Sequence, residues 1–124
     1  MNREKFIEGL NSDIAFTDEE RTEIYAKSIE HNGAATLLVI SMEELAELQQ
    51  QASKMLRRKG DIIGLVEEMA DVIIATTILQ CIFGVNAGVL TKAVDVKLNR
   101  IKEAAERDEQ NDKNPDSGSS VGAE

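Results

Sequence analysis

Glu44 and Glu47, and then Glu68 and Asp71, form two acidic pairs with the same three-residue spacing, and 20 residues separate Glu47 from Glu68. Side chains three apart on a helix point to the same side, so each pair can aim two carboxylates at one spot. A short Lys59–Asp61 connection that folds one helix back along the other brings the pairs face to face at similar heights. Four converging carboxylates without a thiolate or an imidazole suit a hard cation, Mg²⁺ or Mn²⁺. Such an ion keeps part of its water shell and binds substrate phosphates.

The stretch that carries the second pair sharpens the need for a positive partner. Ile62 to Phe83 is apolar nearly all round and yet holds Glu67, Glu68 and Asp71. With Asp71 at the origin of a helical wheel, Glu67 falls near about −40° and Glu68 near about +60°, on the side of Ala75, Ile78 and Ile82. Carboxylates on a buried stripe either take up protons or need a cation. On the preceding helix Leu38, Leu45, Leu48, Ala52, Met55 and Leu56 centre the apolar face. Glu44 is expected at its edge, with Glu47 and Gln51 continuing the same side.

Taken by themselves, Glu43, Glu44 and Glu47 read as a solvated face, as charge runs usually do. Facing acids on an apolar helix weigh against that. A carboxylate-bridged di-iron bundle needs a Glu-x-x-His on two helices, which this chain lacks. Its one histidine, His31, sits at an expected helix end, where the helix dipole favours it.

A phosphate-bearing substrate brings negative charge to an acidic site and so calls for cations. On the last expected helix Leu90, Val94, Ile101 and Ala104 form a core stripe, with Lys97 in its middle and Arg100 about 60° to one side. A lysine there pairs with the acids or a phosphate, or else snorkels from a bundle edge. Lys54 and Arg58, on the side of Glu47 and Gln51, are further phosphate candidates or ordinary cations complementing a helix C-terminus.

Helices must hold these residues in place. Thr17 and Glu20 have capping-box spacing, so a helix is expected from there to about His31, with Asn32-Gly33 suited to its C-terminal cap. A second, from about Ala35 to Lys59, ends at Gly60. Asp61 then caps the central helix, Ile62 to Phe83, which stops at Gly84, and Asn86 caps a fourth from about Ala87 to Asp108. A short helix around Arg3 to Leu10 carries only a weak signal. Residues 109–124 hold the one proline, two glycines and several serines, and read as a disordered tail. Connections of two or three residues and no strand alternation give an all-α fold, an antiparallel four-helix bundle in one domain over residues 1–108.

Composition agrees with that fold class and narrows the partners. A chain of 124 residues suits one domain, and 42% hydrophobic content with 3% aromatic leaves the core to aliphatic side chains. The net charge of −9 argues against DNA, RNA or an anionic membrane as partner. The uncharged run from Val72 to Phe83 falls short of the roughly 18–20 residues needed to cross a bilayer. Cys81 alone excludes an internal disulfide, MNREKF does not read as a signal peptide, and a cytoplasmic location is expected.

Glu43-Glu44-Leu-Ala-Glu47 followed by Glu68-Met-Ala-Asp71 resembles the EExxE…ExxD signature of the MazG-like all-α nucleoside triphosphate pyrophosphohydrolases, a superfamily that includes dimeric dUTPases and dCTP pyrophosphatases. The likeness covers about Ala34 to Arg100, with His-Asn-Gly before the second helix and Lys97-Leu-Asn-Arg100 near the end, and is to the small single-domain phage and bacterial members. The resemblance implies Mg²⁺-dependent hydrolysis of a (deoxy)nucleoside triphosphate between its α- and β-phosphates, giving the monophosphate and pyrophosphate. By position, Glu44, Glu47, Glu68 and Asp71 hold the metal, Glu43 or Glu67 is an outer group or the base that orients water, and Lys97 and Arg100 neutralise phosphate. Related enzymes often stack the base on aromatic side chains, and here the chain departs, with no Trp, one Tyr and three Phe.

Two further classes stand beside the enzyme: a non-catalytic oligomeric interaction or regulatory protein that offers its acidic face to a basic partner, and a degenerate member that binds nucleotide without turnover. In either case self-association is expected, as a homodimer or homotetramer. The central helix is apolar on more sides than a small bundle can cover, leaving Ile73, Thr77 and Leu79 for a second subunit.

Overall fold

A computed structural model describes residues 1–113, and all regular structure among them is helical. The helices are α1 (Arg3–Leu10), α2 (Asp18–Asn32), α3 (Ala34–Leu56), α4 (Ile62–Phe83) and α5 (Ala87–Lys113). The all-α expectation holds, and the weakly signalled first helix is present. Among the described residues no helix is long and apolar enough to cross a membrane.

The helix starts follow from local chemistry. Before α2 the Thr17 amide donates to Glu20 Oε1 at 2.9 Å and the Glu20 amide donates to Thr17 Oγ1 at 3.1 Å, a reciprocal capping box. Asp61 Oδ1 accepts the Gly64 amide at 2.9 Å and starts α4, while Asn86 Oδ1 accepts the Gly88 amide at 2.7 Å and starts α5. Gly84, with φ 65°, ends α4 in the left-handed conformation that glycine adopts without penalty.

The end of α3 differs from expectation. It stops at Leu56 rather than Lys59, and the Lys54 carbonyl accepts amides from both Lys59 (2.8 Å) and Gly60 (3.2 Å) as the chain turns back. The left-handed residue of this turn is Arg58, at φ 59°. A non-glycine residue there costs roughly 1–2 kcal/mol. Gly60 serves close approach instead: a Cβ on it would stand 3.0 Å from Met55 Sδ and 3.2 Å from the Met55 amide nitrogen.

The chain divides into two compact units, Met1–Val85 and the segment from Asn86 onward. In the first, α3 and α4 form an antiparallel hairpin, and α2 packs on both. Arg3 of α1 pairs with Asp61 at 3.0 Å, so the first helix meets the start of α4. The inward residues of α3 are Leu37, Ser41, Glu44, Leu48, Gln51 and Met55, spaced by alternating threes and fours; those of α4 are Gly64, Glu68, Asp71, Ala75, Ile78 and Ile82. This is the seam of two helices packed side by side.

Leu37, Ala75 and Ile78 are its buried apolar residues, joined by Ser41, whose hydroxyl donates to the Leu37 carbonyl at 2.8 Å. Glu44 therefore lies in the seam and not at its edge. Leu45 and Leu56, expected to centre the face, are 49% and 85% exposed.

In the second unit α5 runs to Lys113, five residues beyond the expected end at Asp108, so Glu109 to Lys113 are helical rather than part of a tail. The rest of the expected tail, 114–124, lies outside the described residues. No residue of α5 is buried, and Val94, Lys97 and Ile101, read from the sequence as a core stripe, are exposed in the single chain.

Candidate metal centre

The seam sets the site. With Gly64 against the Gln51 amide, the antiparallel register places Glu47 opposite Glu68 and Glu44 opposite Asp71. One carboxylate oxygen from each of Glu44, Glu47, Glu68 and Asp71 lies within 4.8 Å of the other three. Glu44, Glu68 and Asp71 are half-buried and Glu47 is exposed, which makes a pit with one open side.

The electrostatics of the pit are unfavourable as they stand. Burial, then the Asp71 charge and then those of Glu47 and Glu68, push the Glu44 carboxyl up to about 7. Burial and the facing Glu47, with Asp71 and Glu67 behind, raise Glu68 as well. Glu44 Oε2, Glu68 Oε2 and Gln51 Oε1 are buried without a hydrogen-bond partner. An orphaned buried acceptor costs about 1–3 kcal/mol, more when charged.

Among the described residues the ion pairs are Arg3–Asp61 and Lys102–Glu106, so no lysine or arginine neutralises the four acids. Protons or a bound cation must do so. Oxygen-only donors, two of them orphaned and inward, fit a hard divalent ion.

Comparisons with family models, curated proteins and solved structures give no match.

The remaining sequence-derived candidates fall in different places. Glu43 is exposed and outside the four-acid set; Glu67 is half-buried, adds its charge to that felt by Glu68, and also acts on Arg3. Lys54, two turns beyond Glu47 on the same face of α3, is exposed, as is Arg58 in the turn after it. Lys97 and Arg100 are exposed on α5, and His31 is exposed near the end of α2.

Gln51 is the residue whose role sequence reasoning passed over. It lies one turn from Glu47, and a Cβ on Gly64 would come within 3.3 Å of both of its terminal amide atoms. The signal was the pairing of a glutamine four after one acid with a glycine four before another. On the other side of the acids a narrow cleft of 90 Å³ continues between Leu37, Ser41, Ala75 and Ile78.

Proposed function

We propose that the chain is an Mg²⁺-dependent nucleoside triphosphate pyrophosphohydrolase of MazG-like type, cleaving between the α- and β-phosphates to release a nucleoside monophosphate and pyrophosphate. The observation that carries this is the four-carboxylate pit, in which Glu44, Glu47, Glu68 and Asp71 converge and two inward oxygens lack any partner. Glu44, Glu47, Glu68 and Asp71 would hold the ion, with Mn²⁺ as a substitute. When bound, the ion polarises phosphoryl oxygens and acidifies a water.

The protein's own groups do the rest. The open side at Glu47 would admit the phosphates, with Glu44, Glu68 and Asp71 half-buried in the seam behind it. Glu67, next to Glu68 and not in the four-acid set, would take the proton of an attacking water, with Glu43 the alternative on α3. Lys54 and Arg58 lie toward the hairpin turn, where positive charge offsets the negative charge of a departing pyrophosphate. Arg58 holds a strained backbone conformation there, as residues at functional positions often do.

A panel of canonical and damaged ribo- and deoxyribonucleoside triphosphates, with Mg²⁺ or Mn²⁺ and pyrophosphate detection, tests the activity. At least one substrate is expected to yield equimolar monophosphate and pyrophosphate. If the whole panel survives, the assignment fails.

The proposed enzyme is an oligomer. Val66, Met69 and Ile73 on α4 and Val39 and Met42 on α3 are large, apolar and between 39% and 68% exposed in one chain. Val66, Met69 and Ile73 share the side of α4 turned away from α3, and Val39 and Met42 the outer side of α3; exposed apolar side chains grouped in this way mark association faces. A homodimer or homotetramer is expected by light scattering at micromolar concentration, and a monodisperse monomer would contradict it.

A further inference from the structure

Two cavities that share part of their lining follow the carboxylate pit along α4. From Glu44 and Asp71 the narrow cleft passes Ile74 and Ile78, and these two isoleucines also floor a second cavity, walled by Phe16, Arg21, Ile24 and Tyr25. Along α4, Ile74 and Ile78 stand about 4.5 and 10.5 Å beyond Asp71 at the helical rise per residue. The second cavity measures 320 Å³. That is at the lower end of the about 300–1,000 Å³ typical of small-molecule sites.

Its chemistry is as particular as its position. The floor is aliphatic, two of the chain's four aromatic residues lie on the wall, and Arg21 lines it beside them. Phe16 is 49% exposed and Ile24 47%, so a flat ligand lying against them removes apolar surface from water. Among the described residues Arg21 makes no ion pair. On the opposite side of the acids lie Gln51, Lys54 and Arg58. Along the hairpin there follow in order an aromatic-walled hollow, four carboxylates, and then the exposed Lys54 and Arg58.

Resting on the triphosphate chemistry proposed above, we propose that the cavity of Phe16, Arg21 and Tyr25 takes the nucleobase. The nucleotide then lies along the α3–α4 hairpin, with its base at Ile74 and Ile78 and its terminal phosphates toward Lys54 and Arg58. Arginine only donates hydrogen bonds. Arg21 therefore favours bases that present a carbonyl oxygen, such as uracil or guanine, over adenine, which has none.

Calorimetric titration of the full chain with Mg²⁺ tests this, using non-hydrolysable α,β-imido analogues of dUTP and dATP beside inorganic tripolyphosphate. The dUTP analogue is expected to bind at least tenfold more tightly than tripolyphosphate and more tightly than the dATP analogue. Phe16→Ala should weaken both nucleotides about tenfold, the scale of a lost base stack, and leave tripolyphosphate unchanged. Ile24→Trp, which fills the cavity from its exposed rim, should do the same without removing any group. Arg21→Gln, which can both donate and accept, should level the two bases.

Nucleotides that bind no better than tripolyphosphate, or substitutions that weaken all three ligands alike, overturn the base site and leave the carboxylate site standing. Equal binding of the two analogues by the unsubstituted chain overturns the role of Arg21. If none of the ligands binds, the hydrolase assignment falls, and the base site with it.

Discussion

Glu68→Gln is expected to abolish nucleotide hydrolysis and, in the same molecule, to raise the melting temperature of the metal-free protein. The two effects have one origin. Glu68 faces Glu47 across the seam, has Asp71 and Glu67 as further negative neighbours, and holds one oxygen buried without a partner. An isosteric amide removes a charge from that cluster and supplies N–H donors that Glu47 can accept, so the metal-free fold gains. The same change would delete one of the four proposed anionic ligands and turn a donor toward the place proposed for the cation.

By comparison with other groups that stabilise charge in a transition state, the rate should fall by about 10²–10³ or more. The added stability that Mg²⁺ confers should be lost as well. Steady-state kinetics beside thermal melts with and without Mg²⁺ read out all three. A variant that kept the full rate would remove Glu68 from the ligand set. A variant that lost activity by unfolding would show a lowered melting temperature, the opposite of what charge relief predicts.

Much of this site is legible in the sequence because its determinants are local. Thr17, Asp61 and Asn86 cap the helices that follow them with their own side chains. Gly84 ends α4 through its own backbone freedom. The three-residue spacing of Glu44–Glu47 and Glu68–Asp71, with a short turn between, is enough to bring the acids together.

What the sequence leaves open depends on contacts between segments. The wheel of α3 places Glu44 at an edge because it weighs only α3's own apolar residues. The seam is chosen by the partner helix, whose Gly64 admits Gln51 and whose Asp71 meets Glu44. Gly60 reads as a helix stop, yet it is required by the proximity of Met55, and the left-handed residue is Arg58. The stripe on α5 looks like core in one dimension, but nothing on α5 is buried in the single chain. Phe16 and Tyr25, separated along the sequence, share a wall only once α2 lies against α4.

The pH dependence of stability should reverse its sign when Mg²⁺ is added. The Glu44 carboxyl is pushed up to about 7 from an ordinary carboxylate value of 4.5, and Glu68 is shifted in the same direction. Between these values the folded state holds a proton that the unfolded chain has released, so the unfolded state binds fewer protons and stability falls as pH rises. The carboxyls held below their ordinary values, Glu20 at its cap and Asp61 beside Arg3, act in the opposite sense, but only in the more acidic range through which they titrate.

The metal-free protein should thus melt higher at pH 5.5 than at pH 8. A difference of about 1 kcal/mol, discounted for partial solvent exposure, amounts to about 4 °C in a domain of this size. Mg²⁺ held at this site would bind the deprotonated carboxylates, so its stabilisation should grow over the same interval. At a hundredfold excess over its dissociation constant it contributes about 2.7 kcal/mol, more than the charge repulsion it offsets. Melts at the two pH values, each with EDTA or with Mg²⁺, should therefore show lines of opposite slope. A metal-free protein equally stable at both pH values, or an Mg²⁺ effect no larger at pH 8 than at pH 5.5, would mean that the four carboxylates are already neutralised by something other than protons and a bound cation.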